Sequence, residues 1–211
     1  TWRVKFDGLT QIKAVEKLFK NVTISHGYNS TFNVGSYSTN VDYDYDAAKR
    51  GEYSWRYTGS SDSTFRFLSE KDITSFSATE QFMPLLGVDV TWKNNVLTKL
   101  EYKKTRSLTM SLTNTKLTEV YTWEYTLGSG YRFDKLKLIV NKKPYESDLN
   151  VRADVSVRDN ITISRDLYTI PEVTNGGLAL AIKLSADYQF TEKLTLRAYF
   201  DHNMTNPAIS T

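Results

Sequence analysis

The 211-residue chain contains no cysteine and only two histidines, His26 and His202. The absence of cysteine excludes disulfides within the chain and any cysteine-ligated zinc or iron–sulfur centre. With so few histidines, the sequence contains no recognisable catalytic or metal-binding set, so we expect no enzyme, no metal and no cofactor. No run of 18 apolar residues occurs, which excludes a transmembrane helix in this sequence.

The chain also lacks a large excess of charge of either sign, because its 27 Lys and Arg residues nearly balance its 24 Asp and Glu residues. Nucleic-acid binding requires a broad basic surface, so we expect no nucleic-acid partner. Aromatic residues, by contrast, are abundant: the chain has 14 Tyr, 10 Phe and 4 Trp. Their placement is regular, and it follows a period of two.

Apolar and polar residues alternate in several long stretches. From position 178 the apolar residues are Leu178, Leu180, Ile182, Leu184, Ala186, Tyr188 and Phe190. Similar runs cover residues 22–34, 86–92, 121–133, 149–157 and 194–200. Since successive side chains of a strand point to opposite faces, each run predicts a strand with one apolar and one polar face. We count about nine such strands.

Three features favour a membrane-spanning β-barrel over a soluble sandwich. Several runs last 10 to 18 residues, whereas strands of soluble proteins average about 5–6 and tilted membrane strands need about 9–11. Aromatic residues gather at the ends of the apolar runs, as in the aromatic girdles of outer-membrane barrels. The opposite face carries charges of both signs with Ser, Thr and Gly, as a hydrated lumen would.

The alternation assigns candidate residues to each face. The lumen-facing candidates are Asp89, Glu124, Arg132, Arg152, Asp154, Arg158, Lys183, Asp187 and Arg197. The lipid-facing candidates are Val88, Val90, Trp92, Tyr125, Leu127, Val155, Leu180, Ile182, Leu184 and Leu196. One stretch fits poorly, because the phase that contains Leu100 and Tyr102 also contains Lys104 and Arg106. Either the strand leaves the membrane near Tyr102 or a bulge shifts the phase.

The remaining segments predict a few other elements. Thr10 could cap a short helix over residues 11–20, and the polar stretch 38–72 is typical of a long loop. Two-residue turns are expected at Asn94–Asn95 and at Asp159–Asn160, and another turn at residues 191–193.

The order of several blocks resembles the carboxy-terminal region of the SprA/Sov proteins. The blocks include SHGYNST at residues 25–31, EQFMPLLGVDVTWKN at 80–94 and EYKKTRSL at 101–108. Further blocks occupy residues 2–8, 34–37, 112–114, 130–133, 148–154 and 185–188. The resemblance therefore covers nearly the whole chain, and its order and spacing are more specific than any single block.

The resemblance implies a segment of a very large single-chain barrel, the outer-membrane translocon of type IX secretion, linked in some species to gliding motility. We therefore expect an all-β fragment of the barrel wall, with one short helix near the N-terminus, in the bacterial outer membrane. Expected partners are outer-membrane lipid, secreted cargo proteins, plug or accessory subunits, and the remainder of the same barrel. The alternative is a soluble all-β binding or adhesion domain.

Overall fold

The computed structural model describes residues 1–50, 55–57, 65–67, 69–140, 143–166, 169–191 and 194–207. It is an all-β chain with little helix. The strands are β1 (Trp2–Phe6), β2 (Phe19–Thr39), β3 (Trp55–Tyr57), β4 (Phe65–Phe67), β5 (Lys71–Trp92), β6 (Val96–Ser111), β7 (Lys116–Val140), β8 (Lys143–Asp166), β9 (Glu172–Thr191) and β10 (Leu194–Pro207). The helices are α1 (Lys13–Leu18) and α2 (Tyr45–Lys49), and a 3-10 turn covers Gly8–Gln11.

Eight strands form one antiparallel sheet in the order β1-β2-β5-β6-β7-β8-β9-β10. From β5 onward each strand pairs with the next along the chain, and β3 and β4 form a separate two-stranded ribbon. The strands are long: β7 has 25 residues and β8 has 24. Their length follows from alternation of apolar and polar residues over most of each strand, with register shifts at a few positions such as Phe133–Leu136 of β7.

Of the two predicted two-residue turns, one is present in the structure and the other is not. Asn94–Asn95 does separate β5 from β6, and Asn95 adopts a φ of 65°, which the turn requires and asparagine tolerates. The prediction for Asp159–Asn160 is wrong, because both residues lie inside β8 and pair with Trp123 and Thr122 of β7. Strand β9 ends at Thr191 and β10 begins at Leu194, and the residues between them lie outside the described part.

The helix near the N-terminus is present but shorter than expected. Helix α1 has Ile12 at its N-cap position, so Thr10 does not cap it. The Thr10 hydroxyl instead accepts a hydrogen bond of 3.1 Å from the Val22 amide, which ties the preceding turn to β2. The expected loop over residues 38–72 also needs correction, because it includes the end of β2, α2, β3, β4 and the start of β5.

The described sheet is a single layer. The chain exposes 15451 Å², whereas a compact monomer of this mass exposes about 10,000 Å². Among the described residues, Val22 and Tyr188 are the only buried hydrophobic side chains. No second large sheet covers the apolar face within the described residues, as a soluble sandwich would require.

The connections differ in length between the two ends of the sheet. Residues 40–70, 112–115 and 167–171 connect strands at one end, and the shorter segments 93–95, 141–142 and 192–193 connect them at the other. Helix α1 lies at the end with the shorter connections, between β1 and β2. The strand register therefore places the connections of two or three residues at one end, and the twelve residues 7–18 between β1 and β2 are the exception at that end.

Candidate functional site: the two faces of the sheet

The strand register places all nine lumen-facing candidates on one face, which we call the polar face. One row of cross-strand partners joins Asp89, Lys99, Gly128, Asp154 and Lys183. The remaining candidates lie on neighbouring rows of that face: Glu124, Arg132, Arg152, Arg158, Asp187 and Arg197. The prediction that they share a face is confirmed, and their contact with a lumen stays a prediction.

Part of the polar face is a network of ion pairs that crosses three strands. The Lys103 ammonium lies 3.3 Å from a carboxylate oxygen of Glu101 and 3.3 Å from one of Glu124. Arg158 donates a hydrogen bond of 2.8 Å from Nε to the other oxygen of Glu124. Lys99 also lies 3.0 Å from Glu101. Each of the two carboxylates therefore has two cationic partners, and the network has three cations in all.

A concavity of about 470 Å³ lies beside this network. Its lining includes Asp89, Arg152, Asp154 and Lys183, none of which forms an ion pair with another described residue. Gly128 forms part of its floor, and a Cβ there would lie 2.4 Å from Oδ1 of Asp154. The polar face therefore offers a polar groove whose unpaired charges are of both signs.

The opposite face, which we call the apolar face, contains all ten lipid-facing candidates. Leu127 at its centre is 52% exposed and Tyr125 is 55% exposed, although both are large apolar side chains. The rows that pass through these two residues, with Val4 at one edge, extend the apolar surface over all eight strands of the sheet: Val4, Phe6, Ile24, Leu86, Val88, Leu100, Tyr102, Val155, Val157, Leu180, Ile182 and Met204. His26 and His202 lie on the same face, opposite Val4 and Ile182. That the candidates share this face is confirmed, and their contact with lipid stays a prediction.

Two rows of aromatic side chains bound the aliphatic part of the apolar face. The first, which we call the Trp123 row, aligns Trp2, Tyr28, Phe82 and Trp123 across the sheet, with Trp2 stacked on Tyr28 at 4.4 Å. The second, which we call the Tyr131 row, contains Phe19, Trp92, Tyr131 and Phe133. Aromatic pairs at these centroid distances stabilise the sheet beyond their burial alone.

The spacing of the two rows can be measured along β7. Trp123 lies eight residues from Tyr131 and ten from Phe133, which is about 26 to 33 Å at about 3.3 Å per residue. A strand tilted by about 40° would carry these lengths over heights of about 20 to 25 Å. The part of the apolar face between the two rows is therefore close in height to the apolar band of a transmembrane β-barrel, which is about 25 Å tall.

The register also shows on which face of the sheet Lys104 and Arg106 lie. Strand β6 pairs with β7 without a shift from Val96 to Ser111, so no bulge changes the phase between them. Both cations consequently lie on the apolar face, Lys104 opposite Trp123 and Arg106 opposite Tyr121. Lys104 lies in the Trp123 row itself, and Arg106 lies one row farther from the aliphatic residues.

Beyond the Trp123 row the apolar face carries an ionic cluster around one buried carboxylate. We call it the Glu119 cluster; it consists of Glu119, Arg106, Arg165 and Tyr121. The Glu119 side chain is only 3% exposed, and its carboxylate accepts hydrogen bonds of 2.9 Å from Arg106 Nε, 3.2 Å from Arg165 Nε and 2.5 Å from the Tyr121 hydroxyl. The two guanidinium groups and the hydroxyl thus satisfy an otherwise costly buried charge.

The cluster shifts the pKa values of its members. Burial raises the pKa of Glu119, but the hydrogen bonds from Tyr121 and Arg106 and the charges of Arg106 and Arg165 outweigh it. The pKa of Glu119 therefore lies below the ordinary glutamate value. The hydrogen bond to Glu119, together with burial, raises the pKa of the Tyr121 hydroxyl.

Sequence reasoning missed Glu119 and Arg165, although the sequence contained a signal. Both residues occupy the apolar phase of their strands, as Arg106 does on β6. Three ionic residues in the apolar phases of three consecutive strands become neighbours once the hairpins are aligned. Predicting that alignment from the sequence would have required placing the turn at residues 112–115 and treating β8 as one strand, without a turn at Asp159–Asn160.

The described residues contain no group of acidic and histidine side chains that could hold a metal ion. None of the described helices has the length and apolar character needed to cross a membrane. No protein-family model and no curated protein matches this chain.

Proposed function

We propose that this sheet is part of the wall of a transmembrane β-barrel in the bacterial outer membrane, and that the barrel conducts secreted proteins. The observation that carries the proposal is the exposed aliphatic band between two aromatic rows about 20 to 25 Å apart in height. A water-soluble protein rarely exposes a contiguous apolar surface of this extent, whereas a lipid bilayer would cover it.

The unpaired edges of the sheet support closure into a barrel. Within the described residues β1 pairs only with β2, and β10 only with β9. In hydrocarbon an unpaired strand edge leaves backbone groups without hydrogen bonds, so each edge requires a further strand. We assign those strands to the remainder of the same barrel.

The polar face supports passage of a polypeptide rather than chemistry. Its charges of both signs, its ion-pair network and its polar groove give a wall to which a chain of either charge would bind weakly. The resemblance to the SprA/Sov proteins supports the secretion role, with cargo proteins and plug or accessory subunits as partners. In bacterial barrels the shorter connections face the periplasm, so we assign residues 40–70, 112–115 and 167–171 to the cell exterior.

Cysteine labelling of two adjacent β9 residues tests the membrane location. The segment has no cysteine of its own, so Lys183→Cys and Leu184→Cys in the full-length protein each introduce the only thiol of this region. In intact outer membranes we expect a water-soluble maleimide to label Lys183→Cys and to leave Leu184→Cys unlabelled until the membrane is dissolved. Equal labelling of the two would contradict the proposal.

The same two variants test the secretion role. A bulky maleimide attached at Lys183→Cys should narrow the pore and slow the release of secreted proteins into the medium. The matched control is the Leu184→Cys variant labelled in detergent and reconstituted, which should leave secretion unchanged. Undiminished secretion through a fully labelled Lys183→Cys pore would overturn the transport role and leave the membrane location intact.

A further inference from the structure

A second concavity lies on the apolar face, at the edge of the aliphatic band. It has a volume of about 330 Å³ and is lined by Glu80, Phe82, Lys104, Arg106 and Tyr121. These residues come from β5, β6 and β7, and the site adjoins the Trp123 row. It is therefore a polar recess beside an apolar surface rather than part of the polar face.

Lys104 is the unusual residue of this recess. It is half-buried and its cross-strand partners are the aromatic residues Phe82 and Trp123. It forms no ion pair with any described residue. A half-buried ammonium without an anionic partner is unfavourable unless an external anion or water stabilises it.

The two glutamates nearest Lys104 already have partners. Glu80 accepts a hydrogen bond of 3.2 Å from the Tyr28 hydroxyl and lies 3.8 Å from the Arg106 guanidinium. Glu119 is enclosed by Arg106, Arg165 and Tyr121.

The lining of the recess holds one carboxylate, Glu80, and two cations, Lys104 and Arg106. The carboxylate of Asp159 lies farther away, on β8 opposite Trp123. The recess itself therefore has a net charge of +1, and Lys104 is the cation of its lining without an ion pair to a described residue.

We propose that this recess binds the phosphate of an anionic lipid headgroup through Lys104, with Arg106 beside it. The proposal rests on the proposed membrane location. A lipid fits better than free phosphate because the apolar surface continues from Lys104 along β6 through Tyr102 to Leu100, where the acyl chains would lie. Basic residues at aromatic girdles are suited to this role, because the charge reaches the headgroups while the stem stays in the apolar region.

Lipid retention measured on the full-length protein tests the site. The protein is reconstituted into nanodiscs of mixed phosphatidylcholine and phosphatidylglycerol, extracted into detergent, and its co-purified lipids are counted by native mass spectrometry. Wild type should retain phosphatidylglycerol in preference to phosphatidylcholine. Lys104→Gln should reduce this preference about fivefold, which is the effect of about one basic residue at an anionic surface. Lys104→Arg should preserve it, and so should the control Lys183→Gln on the polar face.

The possible outcomes separate the site from the membrane location. If Lys104→Gln retains as much phosphatidylglycerol as wild type, or if Lys183→Gln loses as much, the site is refuted. If added inorganic phosphate displaces the lipid, the site is one for free phosphate and the lipid assignment fails. If no variant, wild type included, enters nanodiscs, the proposed membrane location itself fails.

Discussion

A single arginine placed at the centre of the aliphatic band gives the sharpest test of the two faces. Leu127 lies four residues from Trp123 and four from Tyr131, so it is about 13 Å along the strand from each aromatic row. That position corresponds to the middle of a bilayer, where arginine on a lipid-facing strand costs about 2–4 kcal/mol. We therefore expect Leu127→Arg to lower the folding equilibrium constant at least about 30-fold.

Two matched variants supply the controls. Thr126→Arg, one residue earlier on the polar face, should change the free energy of unfolding by no more than about 0.5 kcal/mol. Ser30→Arg lies on the apolar face beyond the Trp123 row and should cost about 0–1 kcal/mol, as at a membrane interface. The assay is urea unfolding of the full-length protein in lipid vesicles, followed by tryptophan fluorescence. Equal costs for Leu127→Arg and Thr126→Arg would refute the assignment of faces.

The remaining predictions concern the Glu119 cluster and two glycines. Glu119→Gln should destabilise the protein by about 1–3 kcal/mol, since Arg106 and Arg165 lose their shared carboxylate. Because the pKa of Glu119 is lowered by folding, its stabilisation is present above the ordinary glutamate pKa and is lost as the pH falls through the folded value. The acid limb of the stability curve, measured by denaturant titration at several pH values, should therefore be shallower in Glu119→Gln; an unchanged limb would contradict this. Gly27→Ala should cost about 1–3 kcal/mol, because its Cβ would lie 2.9 Å from a backbone carbonyl of β5. Gly130→Ala, whose nearest neighbour is at 3.4 Å, should cost far less, and equal costs in thermal unfolding would contradict the steric argument.

The sequence predicted the main features of the sheet because alternation is a local signal. Residues of one parity share a face wherever a strand is uninterrupted, so the nineteen face assignments needed no knowledge of the partners. The same reasoning failed at Asp159–Asn160, where turn-forming residues lie within a strand. Pairing with β7 on one side and β9 on the other outweighs their turn preference.

The ionic cluster could not be found in the same way because it depends on register between strands. The carboxylate of Glu119 meets its partners only when three strands are aligned. A one-residue slip in either pairing would move Arg106 or Arg165 to the other face. Register is set by the turns and by the whole length of the pairing, and these are not local properties of any single strand.

The change of chemistry along the apolar face argues for a membrane more strongly than the apolar residues alone. Beyond the Trp123 row the aliphatic side chains give way, at the same height on four adjacent strands, to one row of polar and ionic residues: Ser30 on β2, Glu80 on β5, Arg106 on β6 and Tyr121 on β7. The row after it is mixed, with Phe32, Ala78 and Leu108 beside Glu119. Exposure of the aliphatic rows is unfavourable in water and favourable in hydrocarbon. Exposure of the ionic residues is acceptable in water and unfavourable in hydrocarbon. A boundary at one height across several strands is therefore expected where the sheet passes from lipid to water, and the aromatic side chains of the Trp123 row lie along it.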